Sequence, residues 1–258
     1  MSDFNLEVKN LTYKIINRDI LKNINFQIKK GEIVGIIGPN GSGKTTLLKT
    51  LNGINEEIQG EIRWNGKKIK EYSKKELARH IAFMNQNTNV GFDFPCIDVV
   101  VLGRYPYLER FEEYSKDDIK KAEFYMEKTN TLKFKNRMIT ELSGGERQRV
   151  LFAKILTQES DLILLDEPTA SLDMKYEEEI FSIISNLKEQ NKSIIAVIHN
   201  LRVAIKYCTR LILLFNGEIV ADDIPENVIT EENLKNIYGV ETKVYKNQYN
   251  QELDFCIL

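Results

Sequence analysis

The sequence predicts an α/β fold in which a core on a parallel sheet carries an N-terminal antiparallel β-subdomain and an inserted helical subdomain. Three observations predict it. Ile33-Val34-Gly35-Ile36-Ile37, Leu162 to Leu165, Ser193 to Ile198 and Leu211 to Leu214 are solidly apolar runs, as strands covered on both faces are. Phe4 to Val8 and Ile24 to Ile28 alternate apolar and polar instead, the pattern of half-buried antiparallel strands. Between about 88 and 154 the chain turns charged and helix-forming with no clear strand, which reads as an insert.

Taken in order, Ile62-Arg63-Trp64-Asn65-Gly66-Lys67-Lys68 continues the alternating strands, with Asn65-Gly66 as a tight turn. Pro95 and Pro106 punctuate the start of the insert. Lys116 to Thr129, with Ile119, Ala122, Phe124, Tyr125 and Met126, predicts an amphipathic helix capped by Ser115. After Gly239 a small strand pair is expected, turning near Asn247 to Asn250. The expected organisation is a single domain: residues 1–87 and 155–240 as core with β-subdomain, 88–154 as helical subdomain, and 241–258 as tail.

Bulk properties exclude several classes. A net charge of −2 over 258 residues gives no basic field for nucleic acid. The longest apolar runs, Ile33–Ile37 and Leu162–Leu165, fall far short of the roughly 20 residues that span a bilayer. The first ten residues are polar and acidic where a signal peptide would be basic and then apolar, so a cytoplasmic location is expected. Cys96, Cys208 and Cys256 are widely spaced, without a C-x-x-C pair, and are expected to be reduced and mostly buried. With only His80 and His199 as imidazoles, no transition-metal site is expected.

Chemistry enters at Gly38-Pro39-Asn40-Gly41-Ser42-Gly43-Lys44-Thr45, which matches the phosphate loop G-x-x-x-x-G-K-[ST]. An apolar strand precedes it and the helix-forming run from Thr46 to Leu51 follows. Glycines turn backbone N–H groups onto phosphate oxygens, and the helix N-terminus adds its positive end. Lys44 would bind the β- and γ-phosphates of ATP, and the Thr45 hydroxyl would ligate Mg2+. A second apolar run ends in Asp166-Glu167. Beside a phosphate loop, Asp166 is the expected further contact to Mg2+, and Glu167 is placed to activate the attacking water as general base.

Leu142-Ser143-Gly144-Gly145-Glu146 opens a helix-forming run, so that N–H groups and the Ser143 hydroxyl can face an anion. With this stretch the sequence resembles the ATP-binding-cassette (ABC) ATPases, whose signature is L-S-G-G-[EQ]. The resemblance implies a P-loop NTPase fold of the ABC type and an ATPase that works as a dimer of two copies, each signature capping the other's nucleotide. It implies roles for Tyr13 in stacking on adenine, for Gln86 in reaching Mg2+, and for His199 in contacting the γ-phosphate. Ser171-Leu172-Asp173 corresponds to a loop across the dimer interface. Tyr13 taken alone reads as an ordinary strand residue. Asn200 stands where many relatives have Asp, and Asn85 where Pro is common. His80 has no such slot and reads as structural or surface.

Asp98 to Tyr107, the stretch from His199 to Val220 and Glu232 to Val240 resemble ATPases that serve uptake of iron–siderophores, haem and cobalamin. That resemblance implies permease subunits in the membrane, an extracytoplasmic substrate-binding protein, and a peripheral place on the membrane's cytoplasmic face. It also implies a groove for a permease helix near residues 86–107, where charge reversal at Arg104 would uncouple transport. On the residues alone, Phe92, Phe94, Tyr105 and Tyr107 read rather as the insert's own core. The alternative, a soluble ABC ATPase of iron–sulfur cluster assembly, is disfavoured by the segment Gly103-Arg104-Tyr105-Pro106.

Overall fold

The structure, a computed structural model, describes residues 4–86, 91, 93–170 and 172–258. Phe92 and Ser171 lie outside the described residues. The chain begins β1 Phe4–Ile15, β2 Arg18–Lys29, β3 Ile33–Ile37, α1 Lys44–Leu51, β4 Ile58–Trp64 and β5 Lys67–Lys68. It continues with α2 Lys74–His80, β6 Ile81–Met84, α3 Cys96–Val101, α4 Lys116–Lys128, α5 Gly144–Thr157, β7 Leu162–Asp166 and α6 Met174–Glu189. It ends with β8 Ser193–Val197, α7 Leu201–Tyr207, β9 Arg210–Phe215, β10 Glu218–Asp223, α8 Pro225–Val228, α9 Glu231–Tyr238, β11 Thr242–Lys246 and β12 Leu253–Ile257. These elements form two compact units, Met1–Glu71 with Ser193–Leu258, and Tyr72–Lys192.

In the first unit the alternating strands pair antiparallel in the order β2-β1-β4-β5. Register explains their alternation. Leu6 stands opposite Ile28 on one side and Trp64 on the other, and Val8 opposite Phe26 and Ile62. Two rows of buried side chains therefore cross the sheet, each fully buried aliphatic contributing about 1.5–3 kcal/mol. Asn65 and Gly66 both take positive φ, 47° and 82°, the primed turn that joins β4 to β5. The solidly apolar β3 pairs parallel with both β8 and β9, and all five of its residues are buried. The expected terminal strand pair is present as β11 against β12.

In the second unit β6 and β7 run parallel, Ile81 opposite Leu162 through to Met84 opposite Leu165. Helices α3, α4 and α5 close on one apolar core that includes Val99, Val100, Ala122, Met126, Val150 and Ala153. Helix α4 carries a full capping box between Ser115 and Asp118. Its buried stripe is narrower than its apolar content suggests, because Phe124 points outward. Cys96 and Cys208 are buried and free, their thiols pushed up to about 11 and about 12 by burial, whereas Cys256 is exposed.

Arg104 lies inside this unit: it is 7% exposed. Its Nε donates to Asp118 Oδ1 at 3.0 Å, and Nη1 donates to the Thr157 carbonyl and to Glu159 Oε2. The guanidinium also lies over the Tyr107 ring at 3.9 Å, and Tyr107 donates to the Gln158 carbonyl at 2.9 Å. A guanidinium has five donors and no acceptor, so it is buried where carboxylates and carbonyls converge. Phe94 and Tyr105 stay exposed on this segment.

Candidate functional site

Each unit presents its candidate residues at the carboxyl ends of parallel strands, where open α/β sheets bind their ligands. In the first unit the phosphate loop follows β3 directly. Gly38, Gly41 and Gly43 have φ of 145°, 78° and 105°, conformations that L side chains rarely adopt. Gly38 is the most constrained: a Cβ there would stand 2.0 Å from the Leu214 carbonyl oxygen. A Gly38→Ala chain is therefore expected to lose about 3 kcal/mol from the loop's geometry. Equilibrium titration with a fluorescent ATP analogue should show affinity falling roughly a hundredfold. Unchanged affinity would contradict this reading of the loop.

The loop is built to receive an anion. Helix α1 starts at Gly43 without a side-chain cap and without an acid in its first turn, so its positive end is open. The Ser42 hydroxyl oxygen is buried and has no hydrogen-bond partner among the described residues. Lys44 is buried, and its Nζ donates to the Gly38 and Pro39 carbonyls, both at 2.8 Å. Asn40 forms the exposed tip beside Gly41, and Thr45 and Thr46 enter the helix, where the Thr46 carbonyl accepts from Thr50. These donors fit phosphate oxygens.

His199 emerges from β8, whose Val197 pairs with Ile36 of β3, so it reaches the same end of the sheet as the loop. It is exposed. Asn200 resolves the question raised by its departure from Asp: its side chain caps α7 by accepting from the Arg202 N–H at 3.2 Å. Tyr13 lies in β1 opposite Leu21 and Ile58, half-buried. Tyr238 was not singled out by the sequence, yet burial pushes its hydroxyl up to about 12 against an opposing hydrogen bond with the Gly38 backbone.

In the second unit, the parallel register of β6 and β7 brings Gln86 and Glu167 together. Gln86 Nε2 donates to Glu167 Oε2 at 2.7 Å. Asp166 is fully buried at the end of β7. Glu167 follows with φ of 52°, a left-handed conformation costly for a residue with a side chain. Its carbonyl accepts from Gln148 Nε2 at 3.2 Å. Gln148, almost wholly buried, was missed by sequence reasoning. A buried glutamine on an otherwise apolar helix face was the available signal.

The stretch Leu142 to Glu146 opens α5 as expected, and the Ser143 hydroxyl caps the helix. It donates to Glu146 Oε2 at 2.9 Å and accepts the Glu146 N–H, while the Ser143 N–H also donates to that carboxylate. Those hydrogen bonds hold the Glu146 carboxyl below its ordinary range. Gly144 and Gly145 are the next N–H groups of the helix start. Asp173 caps α6, accepting the Tyr176 N–H at 3.1 Å. His80, the last residue of α2, stands 3.3 Å from Asp161 and edge-on to Tyr72, a structural position as expected.

A family model of ABC transporters matches residues 21–170. The ferric enterobactin transport ATP-binding protein of Escherichia coli (strain K12) is 35% identical over 87% of this chain and 83% of its own length. A solved structure described as a metal-chelate type ABC transporter in an inward-facing conformation superposes with a TM-score of 0.86 at 28% identity. It covers 100% of this chain and 98% of that one. An ATP-binding cassette solved as a dimer in a post-hydrolysis state with ADP and Pi is 31% identical, with a TM-score of 0.75, over 85% of this chain and 98% of its own.

Proposed function

The chain belongs to the ABC transporter family, and from that premise we propose that it energises uptake of an iron–siderophore or related metal chelate, such as haem or cobalamin. It is an ABC ATPase, and cassettes of this family dimerise and pair with permease subunits in importers. The observation that carries the importer reading is the extent of the likeness to the enterobactin transport protein, 87% of this chain. The metal-chelate transporter supports the same cargo class. Among the described residues no helix is long and apolar enough to cross a membrane, so the proposal assigns the pathway to a separate permease. An extracytoplasmic substrate-binding protein would deliver the chelate, and this chain would work at the membrane's cytoplasmic face.

Within that proposal, Lys44, the N–H groups from Gly38 to Thr46 and the Ser42 hydroxyl hold the phosphates of ATP. Thr45, Asp166 and Gln86 supply hard oxygen donors suited to Mg2+, which when bound neutralises charge on the phosphate oxygens. Glu167 takes a proton from the attacking water, His199 contacts the γ-phosphate and Tyr13 stacks on adenine. Ser143, Gly144, Gly145 and Glu146 of a second copy cap the nucleotide, with Asp173 at the interface. Glu146 acts there through the cap it provides for Ser143, which fixes the direction of the two glycine N–H groups.

Vesicles holding the cognate permease test the proposal. With this chain and ATP on the cytoplasmic side, and the binding protein opposite, ferric siderophore should accumulate only when all components are present. Uptake independent of this chain, or co-purification with soluble cluster-assembly proteins while the permease is ignored, would sink it.

A further inference from the structure

Gly38, where β3 turns into the phosphate loop, is held from several directions within its own unit. The Leu214 carbonyl of β9 stands so close that a Cβ at Gly38 would lie 2.0 Å from its oxygen. The Gly38 carbonyl accepts from Lys44 Nζ at 2.8 Å. The Gly38 backbone also hydrogen-bonds the hydroxyl of Tyr238, the last residue of α9. The direction of that bond follows from its effect. It opposes the rise that burial imposes on the tyrosine hydroxyl, and only a donated proton favours the phenolate in that way. The N–H is the one backbone donor a glycine has, so the Gly38 N–H donates to the Tyr238 oxygen.

Helix α9 is fixed well enough to make that bond a support. Thr230 caps it by accepting the Asn233 N–H at 3.1 Å, and Gly239 closes it in the left-handed conformation at φ 71°. Leu234 is buried, and Asn233 Nδ2 donates to the Val228 carbonyl of α8 at 2.8 Å. Helix α8 in turn packs against β9 and β10, and β9 is the neighbour of β3. One sheet therefore carries both the loop and the helix that reaches back to it. Chemistry in the loop gives the support its use. Lys44 Nζ leaves the Gly38 and Pro39 carbonyls when it engages phosphate oxygens, which frees Gly38 on that side. Pro39 has no N–H with which to steady the turn. Of the N–H groups between Gly38 and Thr46, that of Gly38 is committed to the tyrosine, so it serves phosphate binding by being held.

We propose that Tyr238 is a positioning residue for ATP, anchoring Gly38 at the root of the phosphate loop while Lys44 exchanges two carbonyls for phosphate oxygens. It touches no reacting atom, so it acts on nucleotide affinity and not on the hydrolytic step. The inference rests on the assignment of the loop to ATP and is independent of the transport reading.

Tyr238→Phe keeps the ring and removes only the hydroxyl. In the purified chain it should weaken ATP binding and raise KM about three- to tenfold, the loss of one hydrogen bond, with kcat within about twofold of wild type. With 15N-glycine labelling, the Gly38 amide proton should move upfield in the variant. Tyr245→Phe, which loses a hydroxyl that donates to Asp254 elsewhere in the tail, should change neither readout. The wild-type chain supplies a second measurement that needs no variant to fold: its Gly38 amide should stay protected from hydrogen exchange when ATP is bound. Saturable ATP binding by wild type, with unchanged affinity in Tyr238→Phe, overturns the inference and leaves the loop's assignment standing. So does a fall in kcat at constant KM, an equal loss in Tyr245→Phe, a Gly38 amide that does not move, or one that exchanges freely with ATP bound. A wild-type chain that fails to bind ATP removes the loop's assignment itself, and the inference with it.

Discussion

Glu167→Gln should bind ATP normally and turn it over at roughly a hundredth to a ten-thousandth of the wild-type rate, the contribution of a positioned general base. The structure makes this a clean substitution. The amide that replaces the carboxylate keeps an oxygen to accept from Gln86 Nε2, which now stands 2.7 Å away. The Gln148 contact is to the main-chain carbonyl and is untouched, so the left-handed turn at φ 52° is preserved. ATP that is bound but not cleaved should hold two copies together, and size-exclusion chromatography with ATP should show a dimer that the wild-type chain populates only transiently. Turnover within a few-fold of wild type would remove Glu167 from the reaction.

Arg104→Glu has the second largest expected effect, and it falls on stability. The substitution puts a carboxylate where Asp118 and Glu159 already converge, at 3.0 Å each from the present guanidinium. Removing one member of a buried pair costs about 3–5 kcal/mol, a large share of the 5–15 kcal/mol that holds a domain together. Chemical denaturation followed by circular dichroism should show the midpoint falling or the native baseline lost. A variant as stable as wild type but defective in transport would contradict this and assign Arg104 to coupling instead. The same network sets a pH dependence. Burial raises the Asp118 carboxyl, but hydrogen bonds from Ser115 and Arg104 outweigh it and hold the group below its ordinary value of 3.8. A depressed acid contributes stability in full above its unfolded value, and that contribution is lost as pH falls through the lowered folded value. Acid unfolding should therefore need a lower pH in wild type than in Asp118→Asn.

Much of this was legible in the sequence because it is written locally. The phosphate loop, the apolar strands, the α4 cap at Ser115 and the Asn65-Gly66 turn each lie within a few consecutive residues. The S-x-x-E spacing of Ser143 and Glu146 also spelled the capping box that the structure shows. The strand Ile81–Met84 is four residues long and directly continues a helix, too short for a period to show. Arg104 could not be read because its partners come 14 and 55 residues later, and only the packing of the insert brings them together. A charged residue beside exposed aromatics reads as surface until those acids are seen. The adjoining Gly103 is similar: a Cβ there would meet the Lys154 carbonyl at 2.4 Å, a close approach to α5 that no local pattern announces. The meeting of Gln86 with Glu167 follows from the parallel pairing of Ile81–Met84 with Leu162–Leu165, which no local spacing shows.

The most direct test of the central claim is ATP hydrolysis by the purified chain with Mg2+, alone and with its cognate permease in lipid. Strong stimulation by the permease, lost in Glu167→Gln, is the predicted result. A rate indifferent to the permease, in a chain that still binds ATP, would contradict the assignment of this cassette to a transporter.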